Sequence, residues 1–273
     1  MNHFIDCMEQ YWASYKDLML QQARDRLELD HRYKVELAMA SDAAHASPSS
    51  EYVIRAAEDG IESAAWRLIQ ELLAHAVREF SPNPATPLEL HSKELIDELG
   101  YRAKPGSFSP SGLWSALEAK YRDGIGHTLA YKKRGESLGK YFSLSAGDDV
   151  LTKNGCIQLT RDIRYVDKSY SVPVLGHAES ETLRLEVLPA LASFAIWAGK
   201  PGLAEDIAKL VPHFSYPAGV KSREAFKLGS AQEGRIKLVT YQTSFEWMFE
   251  RPVAEPLALF LGEFYFAPLQ TAD

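Results

Sequence analysis

Ser81-Pro82-Asn83-Pro84-Ala85-Thr86-Pro87 places three prolines in seven residues. Each proline removes a backbone donor and fixes its own φ, and it pushes the residue before it toward extended backbone. The stretch therefore excludes helix and reads as the boundary of the chain. Before it, apolar residues recur at helical spacing; beyond residue 126, short β-branched runs alternate with turn formers. The expected fold class is α+β. An N-terminal helical hairpin occupies residues 1–82, and a winged-helix-like helix-helix-hairpin segment follows over 88–146. A mainly antiparallel sheet with C-terminal helices fills 147–273, with 88–273 as one domain in the alternative division.

Working back from the prolines, residues 4–40 contain neither proline nor glycine, and Phe4, Met8, Tyr11, Tyr15 and Leu18 recur at alternating spacings of four and three. This predicts one long helix with that stripe as its core face. The stripe lapses over Gln21-Gln22-Ala23-Arg24-Asp25-Arg26 and resumes at Leu29, Tyr33 and Leu37, so no strict heptad is sustained. Should the stripe be a seam for a partner instead of a core face, Tyr11 and Tyr15 are its candidate partner-binding residues. A serine-rich connector that includes Ser47-Pro48-Ser49-Ser50 leads to a second stripe of Ile54, Ala57, Ile61, Ala64, Leu68, Leu72, Ala76 and Phe80, with Gly60 as its weak point. The two segments are expected to pair as an antiparallel hairpin.

Working forward, residues 91–99 read as a short helix stopped by Gly100. Ser109-Pro110 opens the next, because serine caps and proline suits the first helical position. It runs through Leu113, Trp114, Leu117 and Tyr121 to Gly124 and Gly126. Residues 127–132 and 140–145 then read as two strands around Arg134-Gly135-Glu136-Ser137-Leu138-Gly139. Further strands are expected at 156–160, 163–166 and 170–175. Helices follow at 181–198, broken near Pro189, and at 203–210. A strand pair at 235–242 and 244–250 precedes a helix opened by Pro252.

The totals narrow the function classes. With 273 residues, 46% hydrophobic, 25% charged and a net charge of −7, the composition is that of an ordinary folded protein, neither disordered nor a polyanionic nucleic-acid mimic. Cys7 and Cys156 are the only cysteines, which rules out a cysteine metal cluster within the chain and reads as two free thiols of a reducing compartment. The amino-terminal residues lack a signal-peptide pattern, and the longest apolar run, residues 187–199, is too short to span a bilayer. A cytoplasmic protein without membrane contact is expected.

Against this acidic background, residues 120–140 carry Lys120, Arg122, Lys132, Lys133, Arg134 and Lys140, six bases against Asp123 and Glu136. Tyr121, Tyr131, Tyr141 and Phe142 are interleaved with or adjoin them, so phosphate-neutralising cations would stand beside aromatic surfaces. In a winged helix, Ser111, Ser115, Glu118, Lys120 and Arg122 would face a DNA groove while Lys132, Lys133 and Arg134 at the hairpin tip would hold the backbone. The connection from Gly100 to Phe108 is longer than a compact helix-turn-helix allows. The plainer reading is a lysine-rich edge that resists sheet-to-sheet aggregation.

Other chemistry is thinly signalled. His177-Ala178-Glu179 has the start of a zinc-deaminase pattern without the Pro-Cys-x-x-Cys that completes it. The His-Glu-x-x-His, Walker A, Gly-x-Gly-x-x-Gly and Gly-x-Ser-x-Gly motifs do not occur. Asp148 and Asp149, near Lys153, are carboxylates of the kind that hold Mg²⁺, although acidic pairs beside glycine are ordinary turn residues. No cofactor is expected.

The run Lys237-Leu238-Val239-Thr240-Tyr241, then Phe245-Glu246-Trp247-Met248-Phe249 and a proline-started helix, is similar to the endings of uncharacterised proteins of bacterial mobile elements, a likeness that transfers no residue role. Three functions stay open: a nucleic-acid-associated accessory or regulatory protein, with DNA as partner of the basic segment; a protein-interaction or inhibitory module, with a protein partner or a homo-oligomer; and a metal-dependent hydrolase using Asp148 and Asp149.

Overall fold

The structure, a computed structural model, describes residues 3–40, 50–145, 152–153, 156–163, 174–216, 220 and 223–266. Its contacts divide the chain into two units, Met1–Phe80 with Glu89–Gly124, and Ser81–Leu88 with Ile125–Asp273. The chain thus passes between units three times.

The first unit is helical. α1 (His3–Ala40) and α2 (Ser50–Phe80) are antiparallel, as Phe4 against His75, Tyr11 against Arg67 and Tyr15 against Gly60 show. Gly60 does not divide α2; its bare Cα leaves room for Met19, whose methyl carbon would lie 2.7 Å from an added Cβ. α3 (Ser92–Glu98) and α4 (Pro110–Tyr121) complete the unit. Ser109 caps α4 as its sequence predicts, its hydroxyl accepting from the Gly112 N–H at 3.1 Å. Trp114 stacks on Phe80 with ring centroids 5.3 Å apart, and Leu113, Leu117 and Tyr121 are buried on the same helix.

The expected core face of α1 is displaced. Met8 is buried, but with Ile5 and Trp12 instead of Tyr11 and Leu18. On α2, Ile54 is exposed, while Val53, Ala57 and the residues from Ala64 onward form the buried side.

The second unit is α+β. α5 (Ile125–Tyr141) runs straight through the segment expected to be a β-hairpin, so the winged-helix-like reading of 88–146 is corrected: strands at 127–132 and 140–145 do not form. The reason lies in Gly135 and Gly139. They read as turn residues, but they stand one helical turn apart on a buried side of α5, where a π-helical turn at Gly262–Phe266 packs. A Cβ on Gly135 would approach the Phe264 backbone to 3.1 Å, and one on Gly139 would approach the Tyr265 ring to 2.3 Å. The glycines serve close approach of that turn, Gly135 to its backbone and Gly139 to the Tyr265 ring, not chain reversal.

The sheet has four principal strands, β2 (Cys156–Asp162), β3 (Ala225–Ser230), β4 (Gly234–Thr240) and β5 (Ser244–Glu250), with the two-residue β1 (Thr152–Lys153) at one edge. The order is β1-β2-β5-β4-β3, all antiparallel. Leu159 and Leu238 flank Trp247 in register, and Ile157 and Ile236 flank Phe249. Alternation along β5 buries Phe245, Trp247 and Phe249 on one face. β3 had no expectation, because Ala225–Ser230 contains no β-branched residue.

Helices cover that face. α6 (His177–Glu181) widens into a π-helical turn at Thr182–Val187 before α7 (Leu188–Trp197), whose first turn holds Pro189. Proline cannot donate to the carbonyl four residues back, so the helix adjusts immediately before it. α7 is the apolar run that was too short for a membrane; it is buried almost all round, as befits a central core helix. The proline stretch is part of this unit: Ser193 Oγ donates to the Ala85 carbonyl at 3.1 Å, and Asn83 Nδ2 to Tyr131 Oη at 3.2 Å. α8 (Pro201–Leu210) and α9 (Arg251–Leu261), the latter opened by Pro252, close the layer. Ile163 follows β2, and residues 164–173 of the two further expected strands lie outside the described residues.

Candidate functional site

α1 carries two apolar edges side by side. One, with Ile5, Met8 and Trp12, is buried. The other holds Tyr11, Leu18, Leu29 and Tyr33, which fall within about 60° of one another at 100° per residue. These four are 45%, 54%, 65% and 52% exposed, so this part of the stripe singled out in the sequence stands on the surface. From Tyr11 to Tyr33 it is about 33 Å long at 1.5 Å per residue. Of the two candidate partner-binding tyrosines, Tyr15 is half-buried and its hydroxyl donates to the Gly60 carbonyl at 3.4 Å, while Tyr11 is exposed and accepts from Arg67 at 3.0 Å. Their rings stack at 6.0 Å.

The basic segment is divided at Gly124 between the two units. Lys120 and Arg122 end α4 in the first. Lys120 Nζ lies 5.9 Å from the Tyr121 ring centroid, and Arg122 pairs with Glu118 at 3.9 Å, an exposed pair worth little. At the other end of α4 the Ser111 N–H donates to Glu9 of α1 at 2.9 Å. A carboxylate of the same unit thus occupies the helix N-terminus that a recognition helix would present to DNA.

In the second unit, Lys132, Lys133, Glu136 and Lys140 share an arc of about 100° on α5. Lys140 pairs with Glu136 at 3.3 Å. Arg134 lies off that arc and is half-buried. The helix therefore groups three of the four α5 cations and separates the fourth, where a hairpin tip would have presented Lys132, Lys133 and Arg134 together.

A third place carries little signal in the sequence. A cleft of about 750 Å³ opens where the end of α5, β2 and the start of α6 meet, and it is lined by Ser143, Arg161, Asp162, His177 and Glu179 among others. Arg161 lies over the Tyr141 ring, 5.6 Å from its centroid, and donates to Ser143 Oγ at 3.3 Å. His177 Nδ1 is 3.3 Å from Glu181. Burial, partly opposed by Arg161, holds the Glu179 carboxyl above its ordinary range. Burial first and Glu179 second push the Tyr141 hydroxyl up as well. The only sequence signal for this cleft was His177-Ala178-Glu179, dismissed for want of a zinc-binding partner motif. Arg161 had no signal at all, because a lone arginine in a strand is unremarkable until its neighbours are known.

Among the described residues no three histidine, cysteine or carboxylate side chains come together as a metal set, and no helix is long and apolar enough to cross a membrane. Asp148 and Asp149 lie outside the described residues. Compared with protein-family models, with curated proteins and with solved structures, the chain matches none.

Proposed function

We propose that the protein is an interaction module that works through the exposed edge of α1, and that the occupant of that edge is a second copy of the chain. The supporting observation is the alignment of Tyr11, Leu18, Leu29 and Tyr33 on one exposed line. Single apolar residues on a surface are ordinary, whereas an aligned set marks a place where another surface docks. A second copy suits it because residues 24–36 carry Arg24, Arg26, Arg32 and Lys34 against Asp25, Glu28, Asp30 and Glu36. That even balance avoids the like-charge repulsion that a one-signed helix would meet in its own copy. Two hairpins so joined make a four-helix arrangement, the common solution for helix pairs with apolar surface left over.

Sedimentation velocity is expected to show an average mass that rises with concentration. The double substitution Leu29→Glu and Tyr33→Glu should hold the chain monomeric without lowering its melting temperature, since both side chains are exposed. A wild-type chain that stays monomeric throughout, or a double variant that associates equally well, would overturn the proposal.

A second reading, contact with nucleic-acid phosphates, is favoured by the arc of Lys132, Lys133 and Lys140 on α5. Fluorescence anisotropy with a labelled duplex at low salt is expected to show weak, salt-sensitive binding. Changing the three lysines to alanine should weaken it about uniformly across sequences and reduce the salt slope by about three. Failure of the wild-type protein to bind at low salt removes this reading.

A further inference from the structure

Arg161 and Glu179 line the same cleft with opposite charges, yet no ion pair joins them. Arg161 Nε and Glu179 Oε1 are both buried and without a hydrogen-bond partner. Tyr141, whose ring lies against Arg161, is 4% exposed, and its hydroxyl faces the Trp247 indole N–H. Buried polar atoms are nearly always satisfied, and each one left alone costs about 1–3 kcal/mol. Arg161 Nε and Glu179 Oε1, both on residues that line the cleft, are hydrogen-bonding capacity that the protein itself leaves unspent. The first is a donor, and the second is an acceptor when ionised. At about 750 Å³ the cleft has the size of a small-molecule site.

We propose that this cleft binds a small zwitterion of the amino-acid class, its carboxylate on Arg161 and its ammonium on Glu179. The arginine fork matches a carboxylate in plane, and its place over the Tyr141 ring limits its motion. Holding the two protein charges apart serves such a ligand. A direct Arg161–Glu179 pair would satisfy both groups and close the site, whereas separated charges are completed by a molecule that carries both complements. Phe142, also in the lining, supplies apolar wall for a ligand side chain. The proposal is independent of self-association through α1, since the residues named belong to the second unit.

The test is a thermal-shift screen of the full chain with the free amino acids, acetate and inorganic phosphate, followed by calorimetry of any that stabilise it. At least one amino acid is expected to raise the melting temperature of the wild type, with acetate and phosphate giving less. Arg161→Gln and Glu179→Gln should each weaken binding at least tenfold. Glu179→Gln is the variant that keeps the fold: burial already disfavours the charged carboxylate, so the isosteric amide should melt at or above the wild-type temperature. An absence of any amino-acid effect would overturn the proposal. So would an amino-acid affinity that Glu179→Gln leaves unchanged, or a phosphate affinity equal to that of the best amino acid.

Discussion

Trp12→Ala is expected to destabilise the first unit by about 3–5 kcal/mol, the usual cost of deleting a buried tryptophan. Trp12 is 1% exposed. Its indole N–H donates to the Phe108 carbonyl at 2.7 Å, across ninety-six residues of sequence, and its ring lies 5.9 Å from that of Phe108. The side chain therefore joins α1 to the segment just before Ser109, where α4 begins. Alanine would leave both a cavity and a buried carbonyl without a donor. Trp12→Phe separates the two: it keeps most of the ring volume and loses the donor, for an expected cost of about 1–3 kcal/mol. Urea unfolding followed by near-ultraviolet circular dichroism reads both. A loss below about 1 kcal/mol for the alanine variant would mean that Trp12 is not the anchor described.

The second large effect is a reversal of sign. Helix propensity alone makes Gly→Ala in the middle of a helix favourable by about 1 kcal/mol. At Gly139 the new methyl would sit 2.3 Å from Tyr265 Cε1, and that ring is held in place by its hydroxyl, which donates to the Leu144 carbonyl at 3.1 Å. Gly139→Ala is therefore expected to destabilise the protein by about 1–3 kcal/mol, the typical cost of overpacking. In a Tyr265→Ala background the obstruction is gone, and the same substitution should stabilise by up to about 1 kcal/mol. A double-mutant cycle in urea measures the coupling directly. Additive effects would show that Gly139 is not where the C-terminal turn meets α5.

That position also shows how far the sequence can be read. Gly135 and Gly139 look the same on paper whether they turn a chain or admit a neighbour. The neighbour, Phe264-Tyr265, lies more than a hundred residues away, beyond any local window. A local window therefore reads residues 127–145 as a hairpin and groups the basic residues by a geometry that they do not have. On α1 the failure was smaller. The helix and its length were legible, but two apolar edges lie side by side, and period alone does not say which one meets α2. Trp12 stands on the edge that is buried. The cleft was least legible of all, because Arg161 and Glu179 come from different elements and acquire meaning only from their shared burial.

By itself the sequence determined what depends on neighbours within a few residues. Three prolines ended α2, Ser109-Pro110 and Pro252 started helices, and the alternation in Ser244–Glu250 made a half-buried strand whose aromatic residues face the core. These follow from backbone sterics and side-chain period, which act locally. Only the tertiary structure decided that the proline stretch is built into the second unit and not merely a hinge, that α5 is a helix, and which edge of α1 remains outside. Each of those outcomes rests on apolar surface being covered by a partner distant in sequence, and the hydrophobic effect rewards area buried without regard to where along the chain the covering residues come from.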